Sequence, residues 1–202
     1  MITVSLATIP SRRSSLRAVV TALLPQVDRI NVYMNESPAV EGADPDPDFL
    51  HDPKITVARS QETEFGDRGD AGKMFWADEV EGIHLIVDDD MLYPPDYVEQ
   101  IVAGLDRYDR KAVVGFHGAL LQTPFRAYYD RSSRKVSHFT KYLEADTPVH
   151  VIAGNSTCYH TDAIKVSRED FLKPNMADIW MALLGQQQHV PFICLQHKGE
   201  WL

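Results

Sequence analysis

An alternation of strands and helices in the first half of the chain constrains the fold more than any other feature of the sequence. Residues 2–8 form a largely apolar run typical of a buried strand, which Ile9-Pro10 ends. The next segment has helical spacing, begins near Ser11 and places apolar side chains on one face, namely Leu16, Val19, Val20, Leu23 and Leu24. The chain therefore opens with a strand, a tight turn and a helix, the unit that builds parallel sheets.

The alternation of strands and helices continues to residue 116. Strands are predicted over 29–34, 54–58, 83–87 and 112–116, with helices over 70–80 and after Pro94-Pro95. Residues 118–151 are more loosely patterned, and we expect strands or loops laid over an edge of the sheet. A helix over 175–188, with Ile179, Leu183 and Leu184 facing inward, and a strand over 191–195 end the chain. This order predicts an open, mainly parallel α/β sheet sandwiched by helices, with ligands bound outside the carboxyl ends of its strands.

Size, charge and cysteine content exclude several classes of protein. No repeat, low-complexity tract or linker divides the 202 residues, so we expect one domain over 1–202. The 20 basic and 29 acidic residues give a net charge of −9, which argues against a nucleic-acid partner. Two cysteines without metal or redox spacing favour a cytoplasmic location. No apolar run reaches the about 20 residues that span a bilayer, so any work at the inner face of a membrane requires recruitment.

Three consecutive aspartates, Asp88, Asp89 and Asp90, directly follow the predicted strand over 83–87. A buried strand thereby delivers mutually repelling carboxylates to the sheet edge where such folds bind ligands. Mg²⁺ and Mn²⁺ prefer carboxylate oxygens and often complete their coordination with substrate phosphates. The pattern predicts a divalent cation that holds a nucleoside diphosphate. The alternative is a solvated acidic turn that caps the next helix.

The sequence around these aspartates, Ile-Val-Asp-Asp-Asp-Met-Leu-Tyr-Pro-Pro-Asp-Tyr-Val, resembles the DxD region of GT-A fold, family-2-like glycosyltransferases. Residues 4–12 are similar to the first-strand nucleotide motif of that family, and residues 66–73 and 175–180 are similar to later motifs in the same order. The resemblance covers most of the chain and points to polysaccharide or capsule transferases of bacteria. It implies a GT-A (Rossmann-like) fold with a nucleotide-binding half of about 1–116 and an acceptor-binding half of about 117–202.

Carried onto this chain, the resemblance implies a donor site around the aspartates. Asp90 would ligate the metal, Asp88 would be a second or water-mediated ligand, and Asp89 would contact the ribose or nucleotide. The other implied nucleotide contacts are Thr8, Pro10 and Arg12 beside the base and diphosphate, Asn35 and Asp67 or Asp70 at the base, and Lys73 nearby. Helix N-capping is the alternative for Asp67 and Asp70, and an exposed helix position is the alternative for Lys73.

The resemblance also assigns roles near the end of the chain. His197 would complete the metal coordination, which suits Mn²⁺ better than Mg²⁺, and Lys198 would face the leaving diphosphate. Asp178 matches the general base of inverting members, although an aspartate in the first turn of a helix also favours the helix dipole. Trp180 would stack on the acceptor sugar, and a core position is its alternative.

These features together predict a metal-dependent, inverting glycosyltransferase that uses Mn²⁺ or Mg²⁺. It would move a sugar from a nucleoside diphosphate donor, with UDP favoured, to a saccharide or lipid-linked acceptor in polysaccharide biosynthesis. A nucleotidyltransferase is one alternative, but such enzymes usually open with a glycine-rich phosphate loop and residues 8–13 contain no glycine. A non-catalytic nucleotide- or carbohydrate-binding module is the other, and it predicts nucleotide binding without donor hydrolysis.

Overall fold

A computed structural model of the chain describes residues 1–36, 47–171 and 173–202. The helices within them are α1 (Arg13–Leu23), α2 (Tyr97–Asp106) and α3 (Ala177–Gln188). In this described part of the chain, no helix combines the length and apolar character needed to cross a bilayer. The strands are β1 (Ile2–Thr8), β2 (Arg29–Met34), β3 (Ile55–Arg59), β4 (Ile83–Val87), β5 (Val113–Gly115), β6 (Gly118–Leu121), β7 (Arg134–Ser137), β8 (Thr147–Val149), β9 (Val151–Ile152), β10 (Ser156–His160) and β11 (Phe192–Cys194).

The main sheet has eight strands in the order β3-β2-β1-β4-β10-β5-β11-β8. β3, β2, β1 and β4 run parallel, and β11 runs parallel to β5. β10 is antiparallel between β4 and β5, and β8 is antiparallel at the edge. The loosely patterned region of the sequence supplies β8 and most of a second, antiparallel sheet of order β7-β6-β9. The fold is therefore α/β with a mostly parallel central sheet, as predicted.

Side-chain alternation along the strands builds a core on each face of the sheet. On one face Val4, Leu6 and Leu85 pack with the buried sides of α1 and α2. On the other face Ile86 packs with Met181 of α3. Burying one such side chain stabilises the fold by about 1.5–3 kcal/mol, so the three layers are held mainly by these apolar contacts.

The segment 70–80 differs from its prediction as a helix. It forms a 3₁₀ helix, Gly69–Met74, followed by turns. A Cβ on Gly72 would lie 2.5 Å from the Tyr33 ring, so the absence of a side chain there allows the segment to lie directly on β2. Glycine also weakens an α-helix, and this close packing replaces the expected helix.

The buried face of α3 also differs from the prediction. Ala177, Met181 and Gly185 are buried, whereas Leu183 is 47% exposed, so its predicted inward position was wrong. A Cβ on Gly185 would lie 2.2 Å from the Phe192 ring. The small residues set the packed face because they let the helix approach β11 closely.

Candidate functional site

Three parallel strands bring the predicted donor-site residues to one edge of the sheet. β2, β1 and β4 are neighbours, so their carboxyl ends meet. β1 ends at Thr8, Asn35 follows β2, and Asp88 follows β4. A cavity of about 410 Å³ opens here, and its lining includes Thr8, Arg12, Asn35, Asp67, Asp70, Lys73, Asp88, Asp89 and Asn175.

Asp89 is buried among the side chains that line this cavity. Its Oδ2 accepts a hydrogen bond from Thr8 Oγ1 at 2.6 Å, and its Oδ1 accepts one from Arg12 Nη1 at 2.8 Å. Asp89 therefore holds Thr8 and Arg12 at the edge of the cavity, and its contact with the ribose or nucleotide stays a prediction. Arg12 lies on the 3₁₀ turn that the exposed Pro10 begins, and its Nη1 is also 3.2 Å from Asp90 Oδ2.

Lys73 is a buried cation paired with Asp88. Its side chain is 5% exposed, and its Nζ contacts Asp88 Oδ1 and donates to the Gly154 carbonyl at 3.1 Å. Burial of an ammonium group is costly unless such partners compensate it. The alternative of an exposed lysine is thereby corrected: the side chain is enclosed because its segment packs flat on the sheet.

Tyr93 fixes the backbone at the first aspartate and was not predicted as a site residue. Its Oη accepts a hydrogen bond from the Asp88 N–H at 2.9 Å and donates to the Asn155 carbonyl at 2.8 Å. Burial raises the pKa of the Tyr93 phenol well above its ordinary range, so it acts as a neutral donor. The signal in the sequence is the Leu-Tyr-Pro-Pro segment directly after the aspartates.

Asn35 and Asp67 hold the loop that borders the cavity. Asn35 Nδ2 donates to the Gly69 carbonyl at 2.8 Å. The Asp67 carboxylate accepts from the backbone N–H groups of Glu36 and Gly69, each at 3.1 Å. These contacts show loop-positioning roles for two side chains that were expected to recognise the base.

Asp70 links the 3₁₀ segment to the start of α3. Its backbone N–H donates to Asn175 Oδ1 at 3.3 Å, and its Oδ2 accepts from the Ala177 N–H at 3.2 Å. Asp70 thus caps a helix, as its alternative role proposed, but the helix is α3 and not its own segment. Its Oδ1 is buried and finds no hydrogen-bond partner among the described residues, and burial raises the pKa of this carboxyl group.

Asp178 lies one residue beyond Ala177, in the first turn of α3. Its Oδ1 accepts a hydrogen bond from the Ile179 N–H at 2.9 Å. Burial raises the pKa of Asp178, and the negative charge of Asp70 raises it further. A carboxylate with a raised pKa is a stronger proton acceptor, which is the property a general base needs.

Trp180 is only partly buried and packs against the core cluster that contains Met181. Its indole Nε1 is buried and has no hydrogen-bond partner in the part of the chain that the structure describes. The side chain therefore contributes to the core beneath α3, which was the alternative to its predicted role at an acceptor sugar.

His197 lies in a second cavity of about 380 Å³, which Lys198 and Trp201 also line. Its Nδ1 is 2.8 Å from the Leu195 carbonyl, and its Nε2 is 3.3 Å from the His138 carbonyl. Neither His197 nor Lys198 lines the cavity that Asp88 and Asp89 line. A neutral imidazole that donates one N–H to a backbone carbonyl keeps a lone pair on its other nitrogen, so the role of His197 as a third metal ligand stays a prediction.

Asp88 and Asp90 are the two aspartates of the triplet that are not buried. Each has one oxygen in an ion pair, and their side chains are 37% and 48% exposed. Among the described residues, Asp88 Oδ2 and Asp90 Oδ1 have no hydrogen-bond partner, and no group of three His, Cys, Asp or Glu side chains is placed to hold a metal. Two carboxylates with the remaining positions left to water and diphosphate are a donor set that Mg²⁺ and Mn²⁺ accept.

Sequence comparisons assign no family to the chain. No family model matches it, and no curated protein matches it. Among solved structures, residues 1–349 of S. aureus TarS are similar, with a TM-score of 0.58 and 15% identity. The similarity covers 98% of this chain and 58% of that chain, so the chain spans less than two thirds of the TarS segment.

A second solved structure is the mannosyltransferase PcManGT from Pyrobaculum calidifontis in complex with GDP-Man and Mn²⁺. Its TM-score is 0.47 with 17% identity, over 80% of this chain and 44% of that chain. The likeness to TarS concerns the fold alone. It agrees with the GT-A architecture predicted from the sequence, a mostly parallel sheet flanked by helices.

Proposed function

We propose that the chain is a glycosyltransferase domain that moves a sugar from a nucleoside diphosphate donor to a hydroxyl group of a saccharide or lipid-linked acceptor. One observation carries the proposal: charged side chains meet at one edge of a GT-A sheet, namely Arg12, Lys73, Asp70 and Asp88–Asp90. Asp178 lies next to them in the fold, one residue beyond Ala177, whose N–H donates to Asp70. These groups match the two charges that develop in glycosyl transfer, on the leaving diphosphate and on the attacking hydroxyl.

The diphosphate half of the donor is assigned to the side of the cavity that holds Arg12 and Lys73. Each cation is paired with an aspartate, Arg12 with Asp89 and Lys73 with Asp88, and Arg12 is half-exposed, so its guanidinium is the one that a phosphate would reach. Asp88 and Asp90 would hold Mn²⁺ or Mg²⁺, which as a Lewis acid stabilises negative charge on the diphosphate oxygens when it is bound. The loop that Asn35 and Asp67 position borders the base, and uridine is the first base to test.

Asp178 is assigned as the general base. Because its Oδ1 accepts from the Ile179 N–H, its Oδ2 is the oxygen that takes the proton of the acceptor hydroxyl. The acceptor oxygen forms a bond to the anomeric carbon as the bond from that carbon to the donor phosphate breaks. The electron pair of the broken bond leaves with the diphosphate, and attack from the opposite side inverts the configuration.

The proposed setting is polysaccharide biosynthesis at the cytoplasmic side of a membrane, where a recruited protein meets a lipid-linked acceptor. A non-catalytic binding module built on the same fold would bind the nucleotide but would not turn over the donor. A measurement of donor turnover therefore distinguishes a glycosyltransferase from a binding module, whereas a measurement of nucleotide binding does not.

The test is thermal denaturation with UDP, GDP, ADP and CDP, each with Mn²⁺ and with a chelator, followed by measurement of diphosphate release from the matching nucleotide sugar. A ligand at a hundredfold excess over its Kd stabilises the folded state by about 2.7 kcal/mol, so the correct base is expected to stand out. The control variant is Asp106→Ala on α2, which removes an exposed carboxylate paired with Arg110 and is expected to keep the wild-type response to nucleotides. If no nucleoside diphosphate binds under either condition, the proposal is wrong.

A further inference from the structure

Arg134 carries a guanidinium group stacked on two tyrosines. It begins β7, and its Cζ lies 4.4 Å from the Tyr128 ring centroid and 5.2 Å from the Tyr129 ring centroid. The two rings meet edge to face with their centroids 5.2 Å apart. Tyr129 is 81% exposed, so the platform formed by Tyr128, Tyr129 and Arg134 opens to the solvent.

Arg134 is partly buried and, among the described residues, no carboxylate forms an ion pair with it. By contrast, Arg168, which is also partly buried, pairs with Asp78 and Glu79. When the face of a guanidinium stacks on a ring, the N–H groups at its edge still point outward. Two of them can donate parallel hydrogen bonds to two oxygens of a phosphate or carboxylate. The platform therefore has an unused capacity to bind an anion.

The platform lies on a sheet that packs against the helix of Asp178. Arg134 begins β7 of the sheet β7-β6-β9, and Ile152 of β9 belongs to the same apolar cluster as Met181 of α3. Burial and the charge of Asp178 raise the pKa of Tyr128 to about 12, which agrees with this placement. The sheet that carries Arg134 therefore packs against the helix that carries the proposed base.

The surrounding segment has a charge opposite to that of the whole chain. Residues 126–135 contain four basic side chains and one acidic side chain, in a protein whose net charge is −9. Arg126, Arg131 and Lys135 are exposed, so they add positive potential at the surface around the stacked arginine. This local field would attract an anionic molecule to the platform.

We propose that the platform of Tyr128, Tyr129 and Arg134 binds an anionic group of the acceptor, so that the acceptor is a saccharide carrying phosphate or carboxylate. The inference rests on the proposed function and names the substrate class of its acceptor. Arg134 binds the oxyanion through its N–H groups, and a tyrosine ring offers an apolar face to the sugar.

The test uses glucose, glucose 6-phosphate and glucuronate as matched probes in ligand-observed NMR titrations of the full chain. We expect both charged sugars to bind about tenfold more tightly than glucose, because charge-assisted hydrogen bonds are stronger than neutral ones. The two charged probes separate a phosphate site from a carboxylate site. Arg134→Met is expected to abolish the preference, and Arg131→Met, at an exposed arginine of the same segment, is expected to keep it.

Titration of the same variants with UDP and Mn²⁺ separates this inference from the proposed function. We expect UDP affinity and melting temperature to stay unchanged in both variants. Equal binding of glucose and the charged sugars, no binding of any of them, or a preference that survives Arg134→Met would overturn the inference while UDP binding still supports the donor site. A loss of UDP affinity in Arg134→Met would also overturn it, because Arg134 would then belong to the donor. If Arg134→Met does not fold, Arg134→Lys keeps the charge, loses the planar fork and is expected to weaken the preference.

Discussion

Asp70 and Asn175 lock the donor side of the cavity to the helix that carries Asp178. The Asp70 N–H donates to Asn175 Oδ1 at 3.3 Å, while Asp70 Oδ2 accepts from the N–H of Ala177, two residues beyond Asn175. A Cβ on Gly69 would lie 2.1 Å from Asn175 Oδ1, and Gly69 has a φ of +55°, so glycine is required there. The two segments therefore cannot move independently, and the proposed base is held in register with the proposed donor site.

Asp178→Asn is expected to lower the transfer rate by about 10²–10⁴-fold, the usual loss for a positioned base, while donor affinity stays near that of the wild type. Asparagine keeps the size and an oxygen for the Ile179 N–H, but it does not accept the proton. Steady-state kinetics and UDP titration of the same protein measure both quantities, with Asp162→Asn at an 84% exposed carboxylate as control. A rate within about threefold of the wild type would contradict the assignment of Asp178 as the base and would leave it the role of an acidic residue that favours the helix dipole.

Asp70→Asn is expected to shift the acid limb of the rate profile to lower pH. Burial raises the pKa of Asp178 above the ordinary aspartate value of 3.8 and the negative charge of Asp70 raises it further, so removing that charge lowers the pKa of the base. The base is active in its deprotonated form, and activity is therefore lost as pH falls through its pKa. Initial rates measured across the acidic range check the shift, and an unchanged limb would show that the two carboxyl groups are not coupled.

Asp90→Ala is expected to remove the strengthening of UDP binding by Mn²⁺ and to leave the fold intact. The residue is half-exposed, so its loss creates no cavity, but one of the two proposed metal ligands is gone. Isothermal titration with Mn²⁺ and with a chelator measures the difference. His197→Ala is the matched comparison, and since its ring faces backbone carbonyls we expect it to keep the wild-type response. Equal UDP affinity with metal and chelator in the wild type would remove the metal from the proposal.

His84 is expected to make the protein less stable as pH falls. It lies fully buried between Ser5 Oγ and Tyr159 Oη, each 2.8 Å from a ring nitrogen, and burial lowers its pKa from 6.5 to about 3. Below pH 6.5 the unfolded chain binds a proton that the folded chain excludes, so the free energy of unfolding falls by about 1.4 kcal/mol per pH unit. Urea denaturation between pH 7 and pH 5 measures the slope. A flatter slope in His84→Gln than in the wild type is expected, and an identical slope would contradict this source of acid sensitivity.

Local pattern alone predicted the part of the sheet that builds the donor edge. β1, β2 and β4 have the bounds expected from their apolar runs, because a strand buried on both faces favours a nearly continuous run of apolar side chains. The position of Asp88–Asp90 at the end of β4 followed from the same reasoning. These features depend on residues next to one another in the chain, which is why the sequence alone determined them.

Contacts between distant residues decided the rest. Lys73 pairs with Asp88, and Thr8 and Arg12 enclose Asp89, so these side chains meet only after the sheet has formed. The fold also places His197 in a different cavity from Asp88 and Asp89. Arg134, proposed to bind the acceptor, begins β7, and the hydrophobic pattern of that strand has no clear period. A side chain's neighbours across the fold determine whether its polar atoms are free or already bonded, and only the tertiary structure supplies those neighbours.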